Sequence, residues 1–126
     1  MIDSRQIVFD KVLAAIRAQG RPSVNGGICS YRGCDGDKCP IGHLIPDESY
    51  KPEFEGKSLM DLGGTISKAG VYCIANVHRD IVFLSCLQRC HDTCDKLCDG
   101  QFMAFYENKM QAVATLYKLD YRPSVA

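Results

Sequence analysis

Residues 29–50 carry the densest set of side chains that could do chemistry. Cys29, Cys34, Cys39 and His43 supply three thiols and an imidazole, an acceptable ligand set for Zn²⁺. Structural zinc sites usually begin with two closely spaced cysteines, whereas four, four and three residues separate the successive ligands here. The alternative is a glycine-rich turn whose small cysteines pack on the core. We therefore expect no cofactor, and a zinc-stabilised module built on these four residues is the alternative.

Five residues in the same segment form a candidate binding surface: Tyr31, Arg32, Asp47, Glu48 and Tyr50. Aspartate is a favoured capping residue, so we expect Asp47 to cap a short turn through residues 48–50. Arg32 should then pair with Asp47 or with Glu48, and the Tyr50 ring should pack over the β-hairpin expected around Cys34. The pattern leaves two interpretations open, a structural clasp and a site, and it favours the clasp.

His91 and Asp92 form a second candidate group, because a histidine beside an acid can act as a general base. That chemistry needs a nucleophile nearby in space, and Cys39, Cys73 and Cys90 are the thiols considered for it. None of the three lies in a recognisable local signature of a cysteine hydrolase. An enzyme is therefore not favoured, and a thiol-dependent hydrolase that uses His91 and Asp92 is an alternative.

Four cysteines follow one another at every fourth position: Cys86, Cys90, Cys94 and Cys98. On a helix this spacing forms one stripe. Stacked thiolates can hold Cu(I), but such a site needs facing cysteines, and residues 101–126 contain none. Free cysteine is among the most buried residue types, so we expect a cysteine-rich seam in the core.

Composition and charge are those of an ordinary globular protein. The chain has 126 residues, 46% of them hydrophobic and 24% charged, which favours a single domain over residues 1–126. Fifteen basic residues balance fifteen acidic ones, so charge-led binding of nucleic acid is not indicated. Near residue 1, charged residues interrupt the apolar ones, whereas a signal peptide has an unbroken apolar stretch. No apolar run is long enough to span a membrane. We expect a cytoplasmic protein, without membrane contact, whose thiols are mostly free.

The hydrophobic pattern predicts a mostly α (α+β) fold. Apolar side chains at helical spacing predict three main amphipathic helices, over residues 4–19, from about 78 to 97, and over 102–117. A short break between the last two favours an antiparallel pair, with the first helix packed across them. Residues 28–32 and 38–41 are expected to form a small β-hairpin around Cys34, which would place Cys29 opposite Cys39. Residues 43–70 should be irregular, with short turns of helix. Ser58 and Asp61 should form a capping pair for one such turn, and Gly63 should end it. Residues 71–74 should form a brief strand or an extended connector.

Several of these motifs resemble small accessory proteins encoded by bacteriophages and prophages. The resemblance rests on Cys29, Tyr31, Arg32, Gly36, Cys39, Gly42, Leu44, Ile45, Pro46, Asp47, Glu48 and Tyr50, and on the later Leu87, Gln88, His91 and Asp92. The first helix and the tyrosine and leucine near the end of the last helix fit the same pattern. Cys34 and the cysteine stripe depart from it, which weakens the four-ligand zinc hypothesis.

The resemblance implies a place of action and no particular activity. It suggests a protein in the cytoplasm of a bacterial host that binds a host or phage protein, for example to block a defence system or redirect a host enzyme. The binding candidates are those already named: Tyr31, Arg32, Asp47, Glu48, Tyr50, His91 and Asp92.

Overall fold

The computed structural model describes residues 4–25, 28–93 and 101–123. Within these ranges the order of elements is α1 (Ser4–Gln19), β1 (Val24–Asn25), β2 (Ile28–Cys29), α2 (Pro40–Leu44), α3 (Gly63–Ala69), α4 (Val77–Asp92) and α5 (Phe102–Tyr117). Single 3₁₀ turns at Cys34–Gly36, Asp47–Ser49 and Pro52–Phe54 lie between β2 and α3. This architecture confirms the mostly α fold class with a small antiparallel sheet.

The first helix, α1, has the bounds that the sequence predicts. Its buried stripe consists of Val8, Phe9, Val12, Leu13 and Ile16. Gly20 follows the helix with φ +73, a conformation that glycine adopts without strain, and its N–H donates to the Ile16 carbonyl at 2.8 Å. Arg5 pairs with Asp80 of α4 at 2.9 Å, and Arg17 pairs with Glu107 of α5 at 2.6 Å. These two ion pairs tie α1 to both later helices.

The long helices α4 and α5 pack against each other. Asn76 begins α4, because its side-chain oxygen accepts the N–H of Arg79 at 3.0 Å. The contact between the helices includes an edge-to-face pair of Phe83 and Tyr117, with ring centroids 4.9 Å apart. In the cysteine stripe, Cys86 is half-buried and Cys90 is buried, as expected for a seam in the core.

One part of the α4 prediction cannot be compared with the structure. The pattern predicts a helix that begins near residue 78 and runs to 97, and the described helix begins one residue earlier and ends at Asp92. Residues 94–100, with Cys94 and Cys98, lie outside the described residues.

The predicted register of the hairpin is wrong. Cys29 lies opposite Val24 in the sheet, and not opposite Cys39. Ser23 anchors this pairing, because its carbonyl accepts the Ser30 N–H at 3.1 Å and its hydroxyl donates to the Ser30 carbonyl at 2.7 Å. The turn around residue 34 does exist, closed by a bridge between residues 32 and 38, but the chain after it enters α2 instead of a strand.

Two details of the middle segment also differ from the prediction, and one agrees. The hydroxyl of Ser58 accepts the Asp61 N–H at 3.2 Å, which confirms the capping pair. Gly63 was expected to end a helical turn, but it begins α3. Val71 forms an isolated antiparallel bridge to Ile74, so this segment is a tight turn and not a strand.

Candidate functional site

Arg32 joins the turn around Cys34 to the turn at residues 47–49. Its Nη1 lies 2.7 Å from the carboxylate of Asp47, and its Nη2 donates to the Ile45 carbonyl at 2.9 Å. Lys38 reaches the same carboxylate at 3.1 Å. Hydrogen bonds from Lys38 and Arg32 lower the pKa of Asp47. The predicted Arg32–Asp47 pair is therefore confirmed, and Glu48 remains exposed on the same turn.

Glu55 holds the backbone at the base of this clasp. Its carboxylate accepts the N–H of Tyr31 at 2.9 Å, the N–H of Arg32 at 3.0 Å and the hydroxyl of Tyr50 at 2.6 Å. The Tyr50 ring lies under the guanidinium of Arg32, 4.8 Å from centroid to Cζ. Burial, with the bond to Glu55, raises the pKa of Tyr50 to about 12. Tyr31, Arg32, Asp47 and Tyr50 thus form a structural clasp, and sequence reasoning missed the carboxylate at its centre.

Asp47 does not take the capping role expected of it. Its carboxylate is occupied by Arg32 and Lys38, and the residue that precedes the 3₁₀ turn is Pro46. An ion pair to two cations competes with a local cap for the same carboxylate oxygens.

Beside the clasp lies an open cleft of about 400 Å³, which we name the Cys29 cleft. Residues 29–31 form one wall, residues 56–60 a second, and α4 the third. The residues that α4 contributes are Ser85, Gln88, Arg89 and Asp92. This cleft brings together Cys29, Tyr31 and Asp92, which the sequence analysis selected in separate groups.

His91 lies behind the cleft wall with both ring nitrogens in hydrogen bonds. The side chain is 0% exposed. Its Nε2 lies 2.8 Å from the backbone N of Ser23, and its Nδ1 lies 2.8 Å from a carboxylate oxygen of Asp92. A backbone N–H can only donate, so Nε2 accepts and the ring proton sits on Nδ1, donating to Asp92. The ring also packs edge-on against Phe102 of α5, 5.7 Å between centroids.

Cys29 is the thiol that the fold places beside this pair. Ligand atoms of Cys29, His91 and Asp92 all lie within 4.8 Å of one another. A cysteine hydrolase needs a histidine lone pair that can take the thiol proton. In this arrangement the Ser23 N–H occupies the lone pair of Nε2, and Nδ1 carries the proton. The hydrolase hypothesis stays a prediction, and it would require the Ser23–His91 bond to open.

The same geometry bears on metal binding by this trio. A histidine that binds a metal normally donates its other ring N–H to an acceptor. If Nδ1 of His91 held a metal, Nε2 would carry the proton and would face the N–H of Ser23, donor against donor. Thiol, imidazole and carboxylate are suitable zinc ligands, but these hydrogen bonds do not fit a metal ion.

The four residues proposed as zinc ligands do not come together. Among the described residues, the group of three or more metal-ligating side chains is the Cys29, His91 and Asp92 trio. Cys39 begins α2, where its sulfur accepts the Gly42 N–H at 3.3 Å, and burial raises its pKa to about 12. The ring of His43 contacts the side chain of Gln19 at 3.1 Å, and Cys34 is exposed.

Gln88 joins α2 to the cleft, a role that the sequence did not indicate. Its side-chain oxygen accepts the N–H of Ile41 at 3.1 Å, and its amide donates to Asp92 at 3.1 Å. The Leu-Gln-x-x-His-Asp motif is therefore a polar seam in which Gln88 and His91 both donate to Asp92. Because Asp92 lines the cleft, this seam fixes the position of a negative charge there.

The fold and the cleft define a mostly α protein with a small sheet and an open cleft at one face of α4. Comparison of the chain with protein-family models, curated proteins and solved structures found no match. Of the helices that the structure describes, none combines the length and apolar character needed to cross a membrane.

Proposed function

We propose that the protein acts by binding a host or phage protein in the cytoplasm of a bacterial cell, with the Cys29 cleft as its binding site. The cell and the kind of partner rest on the resemblance to phage and prophage accessory proteins. The cleft rests on the structure. In this proposal the Arg32 clasp and the His91 seam are structural, since they hold two walls of the cleft in place.

The observation that carries the proposal is the distribution of paired and unpaired side chains around the cleft. The groups that could do chemistry are bonded to one another: His91 to Ser23 and Asp92, and Gln88 to Asp92. On the rim, Met60 is 61% exposed, a large apolar side chain that water surrounds. An open cleft with one exposed apolar side chain at its rim, and with its internal polar groups already hydrogen-bonded, favours recognition over catalysis.

Site-specific crosslinking tests this function. Met60 is replaced by a photoreactive phenylalanine analogue, and the control carries the same analogue at Leu116, which is 70% exposed on α5 and outside the cleft. After irradiation of bacterial cells that are infected with phage, we expect a discrete adduct from position 60 and none from position 116. Equal adducts from both positions, or none from position 60, would reject the cleft as the binding site.

The variant Cys29→Ser separates binding from thiol chemistry. Serine is close to cysteine in size, so it preserves the shape of the cleft and removes the nucleophilic sulfur. Binding predicts that the adduct from position 60 persists in this variant. If the partner is modified or cleaved by the parent protein and not by Cys29→Ser, the protein is a thiol enzyme and the proposal is wrong.

A further inference from the structure

We propose that the segment bound in the Cys29 cleft is acidic: an extended stretch of the partner with an aspartate or glutamate that pairs with Lys57 and Arg89, and an apolar neighbour that packs on Met60. This inference deepens the proposed function and depends on it. It names the chemistry of the partner.

The two cations lie on different walls of the cleft. Lys57 belongs to the segment 56–60, and Arg89 belongs to α4. Both side chains are exposed, and neither has a hydrogen bond or ion pair to the described part of the chain. Five other arginines do have carboxylate partners in the structure: Arg5, Arg17, Arg21, Arg32 and Arg79. Among the described residues, Arg89 and Arg122 are the arginines without a carboxylate partner, and of these two Arg89 lines the cleft. A guanidinium binds a carboxylate through two parallel hydrogen bonds.

The carboxylate of Asp92 limits where an acid can sit. Its Oδ1 accepts from His91 at 2.8 Å and from Gln88 at 3.1 Å, so the seam already partly compensates its charge. An acidic side chain of the partner would be repelled from Asp92 and drawn toward Lys57 and Arg89. The opposite charges within one cleft thus set the direction of the bound segment.

Charge also favours a protein segment over nucleic acid. Nucleic-acid sites collect many cations along a backbone path, and this chain has no net charge. The cleft holds two cations and one carboxylate, which fits a short acidic motif with an apolar neighbour.

Selection from a displayed library of random peptides, about 12 residues long, tests the inference with the full-length protein. Three proteins serve as bait: the parent, Lys57→Glu with Arg89→Glu, and a control with the same charge change outside the cleft, Lys51→Glu with Lys68→Glu. Thermal unfolding followed by circular dichroism verifies that all three fold. An enriched peptide is then synthesised, and its affinity for each bait is measured by fluorescence anisotropy.

We expect the parent and the control to enrich peptides with Asp or Glu beside an apolar residue. The cleft variant should bind the synthesised peptide at least about tenfold more weakly, the effect of losing one good ion pair in a partly desolvated site. Enriched peptides without an acidic residue, or equal binding by all three baits, would overturn the inference and leave the proposed function standing. If the parent enriches nothing, the inference fails, and the adduct from position 60 still decides the proposed function. A fluorescent single-stranded oligonucleotide that binds the parent and not the cleft variant in the same anisotropy assay would refute both.

Discussion

Glu55 should contribute more to stability than any exposed carboxylate of the clasp. Glu55→Ala removes the acceptor of two backbone N–H groups, those of Tyr31 and Arg32, and of the Tyr50 hydroxyl. A hydrogen bond to a charged group contributes about 1.5–3 kcal/mol, and a half-buried N–H left without a partner regains some of this from water. The expected loss is therefore about 3–5 kcal/mol, a large share of the roughly 5–15 kcal/mol by which native proteins are stable.

Two further variants provide a comparison for the loss of stability expected in Glu55→Ala. Glu55→Gln keeps the shape but has one oxygen where the carboxylate has two, so we expect an intermediate loss of about 2 kcal/mol. Asp47→Ala removes the other acid that meets Arg32, but the Asp47 side chain is 74% exposed. An exposed ion pair contributes about 1 kcal/mol or less. The order of stability should be parent, Asp47→Ala, Glu55→Gln and Glu55→Ala.

Urea unfolding followed by circular dichroism, with the thiols kept reduced, measures these differences. The free energy of unfolding comes from linear extrapolation to zero urea. For a chain of this length the Glu55→Ala loss corresponds to a decrease of roughly 10–20 °C in Tm. A loss below about 1 kcal/mol for Glu55→Ala, or one equal to that of Asp47→Ala, would refute the role of Glu55 as the centre of the clasp.

Three further predictions concern packing, pH and thiol reactivity. Gly42→Ala should lower the free energy of unfolding by about 3 kcal/mol, because an added Cβ overlaps a backbone carbonyl. Gly64→Ala, in the open first turn of α3, should raise it by about 0.5 kcal/mol. Equal effects of the two substitutions in urea unfolding would contradict this prediction. Burial lowers the pKa of His43 to about 4 from its ordinary 6.5, so the unfolded state takes up the proton first and stability falls as pH decreases from 6.5 to 4. Allowing for partial exposure, this loss of stability is about 2 kcal/mol, and it should be smaller in His43→Gln. If stability depends on pH in the same way in this variant, the loss does not come from His43. In the native protein, iodoacetamide should label buried Cys39 at least ~100-fold more slowly than exposed Cys34, as mapped by mass spectrometry. In urea the two rates should be similar. Similar rates in the native protein would place Cys39 on the surface.

The long helices were predictable because their signals are local. Apolar residues at helical spacing and the glycine after residue 19 define α1 without any knowledge of its neighbours. The fold class follows from these helices, since the described strands are only two residues long. The Arg32–Asp47 pair was also accessible, because the segment between the two residues contains three glycines and two prolines, which fold the chain back on itself.

The hairpin register failed because another local pairing, of residues 24–25 with residues 28–29, competes for the first predicted strand. Residues 28–41 contain a turn that two strands could flank, but Ser23, before this segment, pairs with Ser30 instead. A local signal for α2 was present in Cys39–Pro40, because proline is favoured in the first turn of a helix. Glu55 had no such signal: its partners lie 23 and 24 residues earlier in the backbone, and no spacing rule links a carboxylate to two distant N–H groups.

The role of His91 depends on one hydrogen bond that no local pattern contains. A histidine followed by an aspartate has the same sequence whether its second nitrogen faces a thiol, a metal or a backbone amide. Here that nitrogen accepts the N–H of Ser23, 68 residues away in the chain. The adjacent thiol, Cys29, reaches the pair only because β2 follows the same Ser23 anchor into the sheet. The contact that brings the thiol close therefore also occupies the lone pair that thiol chemistry would need, and for this reason we propose binding, and not thiol catalysis, for the cleft.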